Sequence, residues 1–227
     1  VSRLTVAAAV AIFATPALAA DDEGAGRASG VYLRGAGGVV FGETLEQDLS
    51  WNPAVVFVTP PATAKATDLG DGLAIAAAIG FQYARTRTEL EFRRMEASVD
   101  AVAYAGGAAP AALPVNDDLV AHALMSNVYF DLVNKTPFTP YIGVGVGGAR
   151  VENELGERDA VFSYQGRAGL EVAIGERFAI GAEYVYFRTL DVRYGPKEFT
   201  AGSPAGPRTD GDAFVSSSVM GTVRVLF

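Results

Sequence analysis

The chain has 227 residues, 50% of them hydrophobic, with no cysteine, one histidine, a formal charge of −8 and a mean hydropathy of +0.22. Without cysteine there is no disulfide framework and no thiolate metal site, and one histidine cannot build a His-rich zinc site. The acidic balance argues against nucleic acid as a partner, and no continuous apolar run of helical-span length follows the N-terminus, so the positive hydropathy does not describe a helical membrane protein.

The first segment reads as a secretory signal. Arg3 is a minimal basic region, Leu4 to Ala14 form a short apolar core, and Ala17-Leu18-Ala19 fits the small-residue cleavage rule. The expected organisation is a cleaved signal peptide over 1–19, a short periplasmic segment over 20–30 and one domain over 31–227.

Beyond it the dominant period is two. In "GLAIAAAIGFQY", Leu73, Ile75, Ile79, Phe81 and Tyr83 share one face, and Gly72, Ala74, Ala76, Gly80 and Gln82 share the other. "RTRTELEFRR" sets Thr88, Leu90 and Phe92 against Arg87, Glu89, Glu91 and Arg93. "LMSNVYFDL" sets Leu124, Val128 and Phe130 against Asn127, Tyr129 and Asp131, and "FSYQGRAGLEVAI" sets Phe162, Leu170 and Val172 against Gln165, Arg167 and Glu171. Strands are expected near 31–41, 72–83, 87–97, 119–132, 140–151, 161–174, 178–190 and 213–227. Several match the length of a tilted bilayer-crossing strand, about nine to eleven residues.

The connections are long at Gly42–Asp71, Ser98–Asp118 and Asp191–Asp212, medium at "ENELGERDA", and short at 84–86, "VNKTPFT" and "GER". That rhythm, with both chain ends on the short-turn side, fits short periplasmic turns and longer outer loops. A sandwich would turn its apolar faces inward; a membrane barrel turns them to lipid. Small residues such as Gly143, Gly145 and Gly147 among charges of both signs suit a narrow lumen. The fold class expected is all-β: an eight-stranded antiparallel up-and-down transmembrane β-barrel. Aromatic girdles are expected from Phe81, Tyr83, Phe130, Tyr141, Phe178 and Phe227 at one end, and from Phe41, Phe162, Tyr164, Phe187 and Phe214 at the other.

In such a barrel Arg87, Glu89, Glu91, Arg93, Asp131, Arg167, Glu171, Glu183 and Arg224 have the inward parity. The interior of eight strands is just filled by side chains, and an unpaired buried charge is strongly disfavoured. The expectation is a charge-paired structural plug; a narrow path for ions or small solutes along the same residues is the alternative.

No catalytic, cofactor or metal residue is assigned. "GVGVGG" has dinucleotide-like spacing but leads into another strand rather than a helix. His122 and Ser126 raise a lipid A-modifying enzyme as a lesser alternative, yet four residues along one strand is about 13 Å, beyond direct contact. The first long loop carries Glu43, Glu46, Asp48, Asp68 and Asp71 against Lys65. Such loops attract divalent cations that bridge lipopolysaccharide, or basic extracellular partners. Trp51, in the apolar "WNPAVVFVTPP", is the candidate loop contact.

The ending "VMGTVRVLF" resembles the C-terminal strand of outer-membrane barrels. That resemblance implies that Phe227, with Val225 and Val223, is an assembly signal read by the barrel-assembly machinery. "RTELEFRR", "SNVYFDL" followed by "TPFTPYIGVGVG", and "SYQGRAGLEVAIGERFAIGAEYVYF" resemble the small porin-like outer-membrane family of alphaproteobacteria, which shares the barrel pattern of OmpA-like and opacity proteins. The resemblance implies an outer-membrane location in a Gram-negative cell, contact with outer-membrane lipid and lipopolysaccharide, and a non-enzymatic structural or surface-interaction role.

Overall fold

The computed structural model describes residues 29–109, 118–134, 136–152, 158–195, 199 and 207–227. The expected signal peptide and most of the 20–30 segment lie outside the described residues. Nine strands are present among the described residues: β1 Gly30–Gly42, β2 Leu45–Ser50, β3 Ala64–Tyr83, β4 Thr86–Ala105, β5 Asp118–Asp131, β6 Phe138–Glu152, β7 Arg158–Ile174, β8 Phe178–Tyr194 and β9 Arg208–Leu226.

Strand β1 pairs with β3 on one side and β9 on the other, and β2 pairs with the same two neighbours further along. The two are therefore one stave, broken at Glu43 and Thr44. From β3 to β9 each strand pairs antiparallel with the next. The result is a closed up-and-down barrel of eight staves, in which every stave has a neighbour on both sides. Closure brings Leu33 opposite Val225 and Phe41 opposite Ser217.

The two shortest connections between staves, 84–85 and 175–177, lie at one end, and the three longest, 51–63, 106–117 and 195–207, lie at the other. Ala84 takes a left-handed φ of 52° in the β3–β4 turn, and Gly175 takes φ 72° in the β7–β8 turn, where glycine relieves the steric cost. Short turns mark the periplasmic end, so the opposite end faces outward.

Around the lower barrel the apolar residues point away from the lumen: Leu33, Ile75, Phe92, Leu124, Ile142, Val144, Leu170, Ile180 and Val223 are all exposed. A closed barrel carrying this band is a transmembrane barrel, with the band against lipid.

At the outer end the staves run further than their membrane-crossing stretches. Strand β3 starts at Ala64 rather than near 72, β4 continues to Ala105, and β2 lies inside what the sequence suggests is the first loop. Strand β2 has the opposite polarity. Leu45, Gln47 and Leu49 point inward while Glu46, Asp48 and Ser50 point to solvent, the alternation of a water-soluble strand. Register shifts between Asp68 and Gly72 in β3, and between Arg188 and Arg193 in β8, re-aim the side chains where the two regimes meet.

The girdles are corrected in three places. Phe81, Phe130, Phe178 and Phe227 are exposed at the short-turn end, and Phe41, Phe162 and Tyr164 at the other. Tyr141, Phe187 and Phe214 are buried in the lumen instead. Tyr141 has the parity of inward Gly143, and Phe187 that of Glu183, so strand phase decides their side.

Candidate functional site

The lumen has two storeys. The lower holds five arginines (Arg34, Arg87, Arg93, Arg167, Arg224) and five acids (Glu89, Glu91, Asp131, Glu171, Glu183), none more than 5% exposed. The structure therefore places every residue of the expected charge set inside and adds Arg34. Each strand contributes alternate residues to the interior, and apart from Arg93–Glu91 within β4 the lumen ion pairs join different staves.

Two groups are distinct. Nearest the periplasmic end, the Arg87 guanidinium donates to Asp131 (3.0 Å) and Glu171 (2.8 Å), and Arg224 donates to Glu171 (2.9 Å) and to the Gln82 side-chain Oε1 (2.7 Å). Above it, Arg34 reaches Glu89 (3.4 Å), Glu91 (3.3 Å) and Glu183. Arg167 binds Glu91 and, at 3.2 Å, Glu183, and Arg93 lies 3.6 Å from Glu91. Each group contains as many arginines as acids, so each is neutral.

Three tyrosines form the floor between the groups. The Tyr32 and Tyr129 hydroxyls donate to Glu89 (3.1 and 2.9 Å), and the Tyr141 hydroxyl donates to Glu183 (3.0 Å). Their rings turn to the lower arginines: Arg87 sits 4.9 Å from the Tyr129 ring centre and 4.5 Å from that of Tyr141, and Arg224 lies 5.3 Å from that of Tyr32. Each tyrosine stands directly opposite a glycine of the neighbouring strand: Tyr32 opposite Gly80, Tyr129 opposite Gly143, Tyr141 opposite Gly169. A Cβ on any of these glycines would run into the ring. The glycine-rich inner wall makes room for aromatic rings laid across the strands.

The upper storey centres on an apolar cluster, with Gln47, Lys65, Thr67 and Thr189 also buried in it. Met95, Met125 and Met220 lie at the boundary, with Arg93 donating to the Met220 sulfur at 2.8 Å. Above them Leu119, Val151, Val185, Phe187, Phe214, Val192 and Leu69 pack into one cluster. This layer belongs to the outer extension, where β2 has a soluble protein's polarity.

At the outer tip, Trp51 is half-buried. Its indole N–H donates to the Ala62 carbonyl (2.6 Å) and its ring meets Phe57 edge-on at 5.2 Å. The exposed apolar side chains there are Val56 and Val58. The geometry makes Trp51 a brace for the tip: Trp51→Ala is expected to raise protease cleavage within 51–62 while leaving the barrel assembled.

His122 and Ser126 both face outward from β5, two rungs apart, with His122 stacked on Phe92 at 6.1 Å. Among the described residues, no three His, Asp, Glu or Cys side chains gather into a metal-holding group.

Residues 67–218 match the family model described as "Surface antigen". Among solved structures, the chain is similar to Neisserial surface protein A, at 15% identity and a TM-score of 0.50, over 88% of this chain and 98% of that one. It is also similar to the outer membrane protein OprG from Pseudomonas aeruginosa, at 15% identity and a TM-score of 0.60, with the same coverage. Both likenesses are of fold. No curated protein matches the sequence.

Proposed function

The chain belongs to the surface antigen family of outer-membrane β-barrels, and on that premise we propose that it is a non-enzymatic surface protein whose envelope or adhesion-type role is carried by the acidic arms above the membrane. The observation that supports this reading is the division of labour between the two surfaces. Inside, arginines, acids and tyrosines are committed to one another across the lumen. Outside, Glu46, Asp48, Asp68 and Asp100 face solvent around the braced tip that exposes Val56 and Val58. Such a surface attracts divalent cations bridging lipopolysaccharide, or basic extracellular partners. In the same reading Phe227, Val225 and Val223, on the lipid side of the closing strand, form the patch for the assembly machinery.

The test is a tip variant combining Glu46→Lys, Asp48→Lys, Val56→Ser and Val58→Ser, displayed on cells. Normal heat-modifiable migration with reduced attachment to a polylysine surface is expected. Undiminished attachment would remove the arms from the role.

Conduction through the lumen is the competing reading. The buried arginine–acid groups and the apolar layer above them both speak for a closed plug. Planar-bilayer recordings of the purified barrel are expected to show no steady conductance, and regular open-channel steps abolished by Arg167→Ala would favour the channel.

A further inference from the structure

Three neighbouring strands carry Arg94, His122 and Arg150 directly opposite one another, on β4, β5 and β6. Arg94 and Arg150 are exposed and His122 is half-buried, all on the outer face. Neighbouring strands lie about 4.8 Å apart, so Arg94 and Arg150 stand about 10 Å apart with His122 between them, and an anion over His122 is within reach of both guanidinium groups. A row of this kind is stabilised by an anion.

Its height identifies which anion. Two residues along each strand toward the membrane lie Phe92, Leu124, Gly148 and Phe162, the top of the lipid-facing band. Phe92, Leu124 and Phe162 are each about half exposed, at 51–53%. Between Leu124 and Phe162, Gly148 leaves a notch: a Cβ placed there meets only the Val161 carbonyl oxygen, at 4.0 Å. The row therefore caps an apolar groove one residue wide.

Acids are near but higher. Glu96 pairs with Arg94, and Glu152 stands in the same rung as Glu96, about 7 Å further from the membrane along the strands. Arg150 has no ion-pair or hydrogen-bond partner among the described side chains.

We propose that Arg94, His122 and Arg150 bind the phosphate of an outer-leaflet lipopolysaccharide, with one of its acyl chains lying in the notch over Gly148. This rests on the outer-membrane placement above and gives a direct lipopolysaccharide contact a definite place, on the barrel wall below the acidic arms. Guanidinium groups suit it because they donate bidentately to phosphate oxygens. The stacked His122 ring fills the centre of the row and adds a third donor.

The test uses the purified barrel in detergent with fluorescent lipid A as probe. Arg94→Ala/Arg150→Ala is expected to weaken binding about tenfold, and Arg94→Lys/Arg150→Lys by about threefold. Gly148→Leu, which leaves every charge in place, is expected to weaken it as well by filling the notch. Dephosphorylated lipid A should bind wild type no better than intact lipid A binds the double alanine variant. Displacement of the probe by millimolar inorganic phosphate would overturn the lipid assignment in favour of a free-anion site. Undiminished binding by a double alanine variant that still migrates as a folded barrel would overturn the row while leaving the barrel reading intact. If that variant does not fold, Gly148→Leu and the dephosphorylated probe decide: no loss in either overturns the proposal.

Discussion

Glu91→Ala is expected to lower the unfolding free energy of the barrel by about 3–5 kcal/mol, the usual effect of removing one partner from a buried ion pair. Glu91 is fully buried and holds Arg34 at 3.3 Å, Arg93 at 3.6 Å and Arg167. Its loss leaves three guanidinium groups sharing Glu89 and Glu183 in a space that water reaches poorly. Arg167→Met added to Glu91→Ala should recover part of the loss, because a charge is then removed along with its partner. The exposed pair of Arg193 and Asp210, 3.2 Å apart, supplies the contrast, and Arg193→Ala should change stability by less than about 1 kcal/mol. Urea titration in detergent, read by the folded-band fraction, measures all three. A change below about 1 kcal/mol for Glu91→Ala would mean that water substitutes for the carboxylate and that the lower storey is wet.

The second large effect belongs to a residue with no side chain. Gly143→Val is expected to prevent assembly of most molecules, and Gly143→Ala to cost about 1–3 kcal/mol by overpacking. The Tyr129 ring occupies the space a Cβ would need. That ring cannot swing aside without losing its bond to Glu89, the donation from Arg167 at 2.9 Å and the Arg87 contact. Gly35 is the control: it lies on the lipid side with nothing within 4 Å of the point a Cβ would occupy, so Gly35→Ala should assemble normally. Equal assembly of Gly143→Ala and Gly35→Ala would show that the tyrosine floor is pliable.

How far this could be read from sequence depends on the phase of each strand. Where bulky and charged residues alternate without interruption, as in Thr86–Arg93, the inward set follows from parity alone. Arg34 escapes notice because it stands alone in a glycine-rich stretch; Val31 and Leu33 on its flanks are the signal that it points inward with Tyr32. The outer arms escape for a different reason. "LEQDLS" alternates as cleanly as any membrane strand, but with the polar half outward, and its acids suggest a loop when the apolar side is assumed to face lipid. The apolar upper lumen follows from the same inversion. The tyrosine–glycine pairs lie between separate strands, and no local pattern carries their register. Nor does sequence alone align Arg94, His122 and Arg150, which meet only through the pairing of β4, β5 and β6.

The switch of polarity part-way up the staves gives the molecule its own waterline. On β3 the outward apolar stretch Leu73–Tyr83 rises about 25 Å once strand tilt is allowed for, the height of an outer-membrane apolar band. Just beyond it on β3 Asp71 turns outward, and on β4 Arg94 and Glu96 turn outward opposite Ile75 and Leu73 at its upper edge. Sinking deeper would drag these charges into hydrocarbon, and floating higher would bare leucine and phenylalanine to water. A bilayer of different thickness must therefore stretch or thin around the barrel, and the draught of the protein, with everything carried above it, stays constant.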